Sequence, residues 1–333
     1  MTQEQFLNQS RSKIEGFNES SPIKAYRLDE TGQVVFEIEV ESKKGGKDVV
    51  IAALTDVHIN VTNEADESDE EVMYSKKCRG TIFAEPGVVE ALTRAMEVCA
   101  LADLTVVTGD LLDYLTCGGM EVAKKEILEK TDSVMFCAAI HDISKNCMTN
   151  LPDKLSYDQR IGIIKEIWPN DTLYEARTYG DKVTAIAIDN DTKAHYQEPQ
   201  YELLKKDIEE ARREGRIVLL FQHRPISTTK EENRETPSLI TLWKPVWNLY
   251  DKSNLGGPEY GNEVDRRIID LIRSNADVVK GIFCGHYHDV LYTEIPATYE
   301  EDGKTVEAVI PQYNMASCPY LKYAGILTRI VIK

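Results

Sequence analysis

The sequence has little that would direct it to a membrane, to secretion or to a broad nucleic-acid surface. No stretch approaches the ~20 consecutive apolar residues that a membrane-spanning helix needs, and residues 1–5 lack the basic and apolar blocks of a signal peptide. The 39 lysines and arginines are outnumbered by 56 aspartates and glutamates, so the net charge is −17, whereas nucleic-acid surfaces are basic. We therefore expect a cytoplasmic protein with a small-molecule partner.

Patterns for disulfides and structural zinc are also missing. The seven cysteines are an odd, scattered set without a Cys-x-x-Cys pair, which predicts free thiols in a reducing compartment and no thiolate zinc site. The hydrophobic content of 42% is ordinary for a globular protein. We expect one domain over residues 1–333, and the sequence leaves the oligomeric state open.

Helical and strand patterns alternate through most of the chain. A helix over 86–102 leads into a buried strand at Leu104–Val107, and a helix at about 120–130 precedes a strand over 134–140. After Val290, strands separated by turn-like sequence dominate. We predict an α/β (α+β) fold, a four-layer α-β-β-α sandwich of two packed mixed sheets flanked by helices, with a site at the carboxyl ends of strands.

Two segments stand apart from this alternation. Residues 33–41 alternate apolar and acidic side chains, which predicts a strand in an N-terminal hairpin (about 30–48) with the strand at Val49–Leu54. Residues at about 226–260 fit neither period and contain Trp243 and Trp247. We interpret this insertion as a lid whose tryptophans stack on a nucleotide-like substrate, while a packed structural insertion is equally supported.

Polar side chains follow the predicted buried strands. One histidine at such a position is more often structural than functional, but five of the six histidines lie there. Imidazoles and carboxylates at successive strand ends together predict a shared metal site. We interpret the sixth histidine, His195, as a surface residue. The candidate residues are Asp56, His58, Asp110, His141, Asp142, His223, His286 and His288.

The order of these groups resembles that of the calcineurin-like metallophosphoesterase superfamily, from about residue 49 to 290. The matching motifs are Asp56-Val57-His58, Gly109-Asp110-Leu111-Leu112-Asp113, His141-Asp142, His223 and Gly285-His286-Tyr287-His288. The resemblance implies a phosphoesterase that hydrolyses a phosphomonoester or phosphodiester by means of a metal-bridging hydroxide.

The same resemblance implies a role for each residue. Asp110 bridges two divalent ions. Ligand sets of histidines and carboxylates without thiolates suit Mn, Fe or Zn. His141 is the general acid and Asp142 orients it. The remaining ligands divide into Asp56, His58 and His288 for the first ion and His223 and His286 for the second.

One motif departs from the family pattern. Ala139 and Ile140 stand where the family carries glycine and asparagine. Isoleucine offers no oxygen, so we expect the second ion to bind weakly, unless Asn146 or Asn150 replaces the donor. The alternative to an enzyme is therefore a degraded family member that binds a phosphorylated ligand with weak or no turnover. The retained general acid favours the enzyme.

Overall fold

A computed structural model describes residues 1–14, 22–79, 87–146, 154–168, 170–171, 173–226, 261–319 and 325–333. The predicted lid with Trp243 and Trp247 falls on 227–260 and lies outside the described residues, as does Asn150.

Thirteen strands form two sheets within these ranges. They are β1 (Arg11–Lys13), β2 (Ile23–Leu28), β3 (Val34–Val40), β4 (Val49–Leu54), β5 (Leu104–Val107), β6 (Val134–Phe136), β7 (Tyr174–Tyr179), β8 (Val183–Ile188), β9 (Ile217–Phe221), β10 (Val279–Cys284), β11 (Leu291–Glu301), β12 (Lys304–Asn314) and β13 (Ile326–Ile332).

The helices follow the strands in the predicted alternation. They are α1 (Gln3–Asn8), α2 (Glu70–Arg79), α3 (Gly87–Cys99), α4 (Cys117–Ala123) with a π-helical turn at Lys124–Leu128, α5 (Ile140–Ile143), α6 (Tyr157–Ile164), α7 (Glu198–Glu214) and α8 (Glu263–Arg273). Helix α7 ends at Gly215, whose φ of 69° closes it in the left-handed region that glycine adopts readily.

Both sheets are mixed. The first has the order β1-β2-β3-β13-β4-β5-β6 and the second β11-β12-β10-β9-β8-β7. Three apolar clusters lie between the layers: one joins the two sheets, one packs the first sheet against α3, and one packs the second sheet against α7 and α8. Strands β5, β8 and β9 are buried at every position because both of their faces are covered. The four-layer α-β-β-α fold is confirmed.

The strand order places the chemistry-bearing turns together. Strands β4, β5 and β6 are mutually parallel neighbours, and so are β8, β9 and β10 in the other sheet. Their carboxyl ends therefore form one edge in each sheet. His223 follows β9 and Thr108 follows β5. The contact between His223 Nδ1 and the carbonyl oxygen of Thr108, at 2.8 Å, joins the two edges.

The predicted hairpin between β3 and β4 is wrong. Strand β13 lies between them, parallel to β3 and antiparallel to β4. Hydrophobic alternation predicts a strand but does not identify its neighbours. The partner of β3 in a hairpin is instead β2, which polar sequence concealed.

Other predicted elements differ in their limits. The strand predicted over 134–140 stops at Phe136, and Ile140 begins α5. Helix α2 lies in polar sequence that gave no indication of a helix. After Val290, where strands separated by turns are predicted, β11 and β12 form two long antiparallel strands joined around Asp302 and Gly303.

No helix in the described part of the chain has the length and apolarity to cross a membrane. The six described cysteines are free. The cytoplasmic location stays a prediction.

Candidate metal centre

The backbone at the two sheet edges is unusual in a way that marks the site. Eight of the described non-glycine residues have positive φ, and five of them belong to the predicted ligand set: Asp56, His58, Asp110, His286 and His288. Such conformations are uncommon outside glycine and cost free energy, and they persist where the surrounding structure imposes them. The strained positions therefore coincide with the predicted ligands.

Four side chains converge at the first cluster: Asp56, His58, Asp110 and His288 present ligand atoms that all lie within 4.8 Å of one another. His288 Nε2 is 3.1 Å from both Asp56 Oδ1 and His58 Nε2. Asp56 is fully buried, and the hydroxyl of Thr55 and the backbone N–H of His286 donate to it. The structure thus brings the predicted first-ion ligands together.

A buried ion pair fixes the ring of His58. Its Nδ1 lies 2.9 Å from Asp113 Oδ1, which also accepts a 2.7 Å hydrogen bond from Arg79 Nε. This contact favours a proton on Nδ1 and leaves the Nε2 lone pair facing the cluster. His58, Asp113 and His141 also have metal-ligand spacing, but Asp113 Oδ1 is already contacted by both His58 Nδ1 and Arg79 Nε, which leaves this oxygen no lone pair for a cation.

Asp110 connects this cluster to a second group. Its Oδ2 lies 3.7 Å from His58 Nε2 and 3.4 Å from His223 Nε2. His223 is fixed by the contact of Nδ1 with Thr108, so that Nε2 faces Asp110. One carboxylate oxygen between two oriented imidazoles is the arrangement required of a bridging ligand.

The second group contains a residue that the sequence did not assign. Asp110, Asp191 and His223 offer ligand atoms within 4.8 Å of one another, and all three are buried. His286 is outside both groups, although its ring lies beside that of His223 with centroids 5.2 Å apart.

His141 and Asp142 do not interact as predicted. We expected Asp142 to orient His141, but His141 Nδ1 lies 2.8 Å from the carbonyl oxygen of Asp113. Asp142 instead accepts hydrogen bonds from the backbone N–H groups of Asp110, Leu112 and Ala139. Its carboxylate therefore holds the turn that carries Asp110, and burial, followed by the charge of Asp110, raises the pKa of Asp142 to about 7.

The protonation states of most ligands at the two sheet edges suit cation binding, and His223 is the exception. Burial lowers its pKa, but the charge of Asp110 raises it well above the usual value, so a cation at His223 has to displace a proton. Burial alone would raise the pKa of Asp56, but His288 and His223 together lower it to about 2. Burial likewise opposes ionisation of Asp110, and His223 brings its pKa well below the usual range. Burial lowers the pKa of His58, and it lowers that of His286 to about 4. Ionised carboxylates and neutral imidazoles are the forms that ligate metals.

Two buried polar atoms at the site show that its donor atoms suit divalent ions. Asp110 Oδ1 and His223 Nε2 are buried and have no hydrogen-bond partner among the described residues, a condition that costs free energy unless something else satisfies the atom. Cations would satisfy both atoms and offset the repulsion between Asp56 and Asp110. The donor set of carboxylates and imidazoles suits divalent transition metals.

Sequence reasoning missed two residues here. Arg79 lies on α2, which the polar sequence did not predict, so no signal was present. Asp191 follows β8 and was visible as a carboxylate at a strand end. The proposed replacement donor Asn146 instead donates its amide to Glu71 Oε1 at 2.8 Å.

Comparison with known proteins places the chain in a family. The profile described as calcineurin-like phosphoesterase matches residues 49–290, while a search of curated proteins gave no match.

Solved structures give distant similarities. A dimetal phosphatase from Danio rerio is 10% identical, with 81% of this chain and 87% of that chain covered and a TM-score of 0.47. A purple acid phosphatase from yellow lupin seeds is 12% identical, with 97% and 56% covered and a TM-score of 0.45. A phosphopantetheinyl hydrolase from Mycobacterium tuberculosis is 10% identical, with 81% and 90% covered and a TM-score of 0.36.

The family profile spans well over half of the chain and includes every residue of the two ligand groups. The chain belongs to the calcineurin-like phosphoesterase family.

Proposed function

We propose that this protein hydrolyses a phosphomonoester or a phosphodiester with the help of two divalent ions. The observation that carries the proposal is the position of Asp110 Oδ2, 3.7 Å from His58 Nε2 and 3.4 Å from His223 Nε2. A carboxylate so placed can hold two cations close together despite their repulsion.

The chain's own groups divide the work. Asp56, His58 and His288 would hold the first ion, and His223 the second, with Asp110 shared. When bound, the ions would activate a water molecule and offset the charge that develops on the phosphoryl oxygens.

His141 is the proposed general acid. Because its Nδ1 contacts the Asp113 carbonyl oxygen, the proton for the leaving oxygen would come from Nε2. His141 lies beside the first ligand group, with its ring centroid 5.1 Å from that of His58. It is therefore adjacent to the position where a phosphoryl group would be held.

The rival function is a degraded family member that binds a phosphorylated ligand with weak or no turnover. Ile140 supports it, because its side chain supplies no oxygen to the second ion. The oriented His141 supports the enzyme, since a binding protein has no evident use for a general acid.

The proposal also includes a nucleotide-like substrate, a cytoplasmic location and Mn, Fe or Zn as the metal.

An aryl phosphate and a bis-aryl phosphate, each incubated with the purified protein and added Mn²⁺, would test the proposal. We expect hydrolysis that requires the metal and that is absent in Asp110→Asn prepared in the same way. The preference between the two compounds would separate monoesterase from diesterase activity. Two bound ions with no hydrolysis of either compound would favour the ligand-binding protein.

A further inference from the structure

Asp191 occupies a turn that is fixed against the ligand His223. The backbone N–H of Asp191 donates to Asp189 Oδ1 at 2.9 Å. Between these two residues, the Asn190 side chain accepts from the N–H of Arg224 at 3.0 Å and donates to its carbonyl oxygen at 2.8 Å. Since Arg224 follows His223 directly, these bonds hold Asp191 and His223 in one rigid unit.

The carboxylate of Asp191 is oriented by two donors. Its Oδ2 accepts a 2.7 Å hydrogen bond from the backbone N–H of Ile140, and its Oδ1 accepts from Arg224 Nε. A carboxylate oxygen has two lone pairs, so each oxygen keeps one after accepting a single hydrogen bond. Ligating carboxylates are typically hydrogen-bonded in this way.

The carboxylate of Asp191 lies in the second ligand group, where Ile140 supplies no oxygen for a metal ion. Asp191 is 2% exposed and has ligand spacing with Asp110 and His223. Within the part of the chain that the structure describes, His223 Nε2 and Asp110 Oδ1 are buried without hydrogen-bond partners. Ile140, in contrast, is 37% exposed and reaches this group by its backbone N–H.

We propose that Asp191 is a ligand of the second ion and replaces the oxygen that Ile140 cannot supply. The inference rests on the two-ion centre of the proposed function. A carboxylate in place of an amide adds a negative charge, of which the Arg224 guanidinium offsets a part. The remainder strengthens the attraction for a divalent cation, because the affinity of oxygen ligands rises with their charge. The second site is then complete without an asparagine, and it binds its ion tightly.

Titration of the metal-free protein with Mn²⁺ by calorimetry, together with metal analysis after gel filtration, would test this proposal. We expect two ions in the wild type, one in Asp191→Ala and two in Lys193→Ala, a control at an exposed residue of the same segment that is outside both ligand groups. Electron paramagnetic resonance should change from exchange-coupled Mn²⁺ pairs to isolated ions in Asp191→Ala. Two tight ions in Asp191→Ala, or a single ion in the wild type, would overturn the proposal.

A rescue experiment separates ligation from a purely structural role. In Asp191→Ala/Ile140→Asn the new amide can ligate, but it cannot restore the hydrogen bonds that Asp191 makes to Ile140 N and Arg224. We expect the second ion to return, and its continued absence in a folded double variant would contradict ligation by this route.

If Asp191→Ala does not fold, Asp191→Asn replaces it as the test. Loss of a group that only supports a metal ligand costs roughly 10–100-fold in affinity. We expect the second ion of Asp191→Asn to be weakened by at least this factor, and unchanged affinity would overturn the proposal. These measurements need no substrate. If the metal counts are as expected but the wild type hydrolyses no substrate, only the proposed function is overturned. If the wild type hydrolyses substrate but Asp191→Ala keeps two ions, only this inference is overturned.

Discussion

His58 Nε2 and His288 Nε2 lie 3.1 Å apart in the buried part of the site. Two imidazole nitrogens facing each other at this distance, beside Asp56 and Asp110, are stabilised when one cation binds them all. We therefore predict that the metal-free protein melts at a lower temperature than the loaded one. At an ion concentration 100 times Kd the gain is about 2.7 kcal/mol per site.

Differential scanning calorimetry with a chelator and then with excess Mn²⁺ would measure this shift, which we expect to be several degrees. Asp56→Ala is the matched variant, since it removes a first-ion ligand. If added Mn²⁺ raises the melting temperature of Asp56→Ala as much as that of the wild type, the stabilisation does not arise at this cluster.

The bridging position of Asp110 predicts unequal effects of two substitutions. Asp110→Asn removes the shared carboxylate charge and should abolish binding of both ions, whereas His58→Ala should empty mainly the first site. Metal analysis of the two purified variants would compare them. Equal losses in both variants would contradict the bridging assignment.

The contact of His141 with the Asp113 carbonyl predicts a dependence on the leaving group. His141→Ala should keep its metal content and lose about 10²–10⁴-fold in rate on alkyl phosphates, which need a protonated leaving oxygen. Activated aryl phosphates should be affected far less. Equal losses on both substrate types would mean that His141 is not the general acid.

Gly285 permits close contact between the two sheet edges. A Cβ at this position would overlap Thr55 Oγ1 and Asp56 Oδ2, so Gly285→Ala should displace Asp56 and weaken binding of the first ion. Gly162→Ala is the matched control, because a Cβ there meets nothing within 4 Å. It should stabilise α6 by roughly 0.5–1 kcal/mol without changing metal affinity, and a similar loss of affinity in both variants would argue against the steric explanation.

Arg79 and Asp113 form a buried pair that positions His58. Arg79→Met leaves the buried Asp113 without the charge of its guanidinium partner, and breaking such pairs costs about 3–5 kcal/mol. We expect lower thermal stability and a weaker first ion, while Lys77→Met on the exposed side of α2 should change neither. Chemical denaturation and calorimetric titration would measure the two effects, and unchanged first-ion affinity in Arg79→Met would deny it a positioning role.

The sequence predicted the site's main residues because the relevant signals are local. An apolar run followed by Asp or His marks the end of a buried strand, and parallel neighbours bring such ends to one edge. This reasoning located Asp56, Asp110 and His223 without reference to the structure.

The remaining features depend on contacts that local patterns do not encode. Asp113 receives Arg79 from a helix inside polar sequence, so neither its partner nor its charge balance was predictable. Asp191 lies in the sequence just after a predicted strand, but aspartates at such ends are common, and only the fold shows that it meets His223. The neighbour order that inserts β13 between β3 and β4 is likewise a property of tertiary packing.

That insertion has a consequence for how the protein is made on the ribosome. Strand β4, which leads into Asp56 and His58, keeps one unpaired edge until β13 has been synthesised some 270 residues later. Pairings so distant in the chain form slowly, and nascent chains with open strand edges are prone to aggregate. The first sheet can therefore be completed only after β13 has been synthesised, so the β4 edge beside Asp56 and His58 stays open for most of translation.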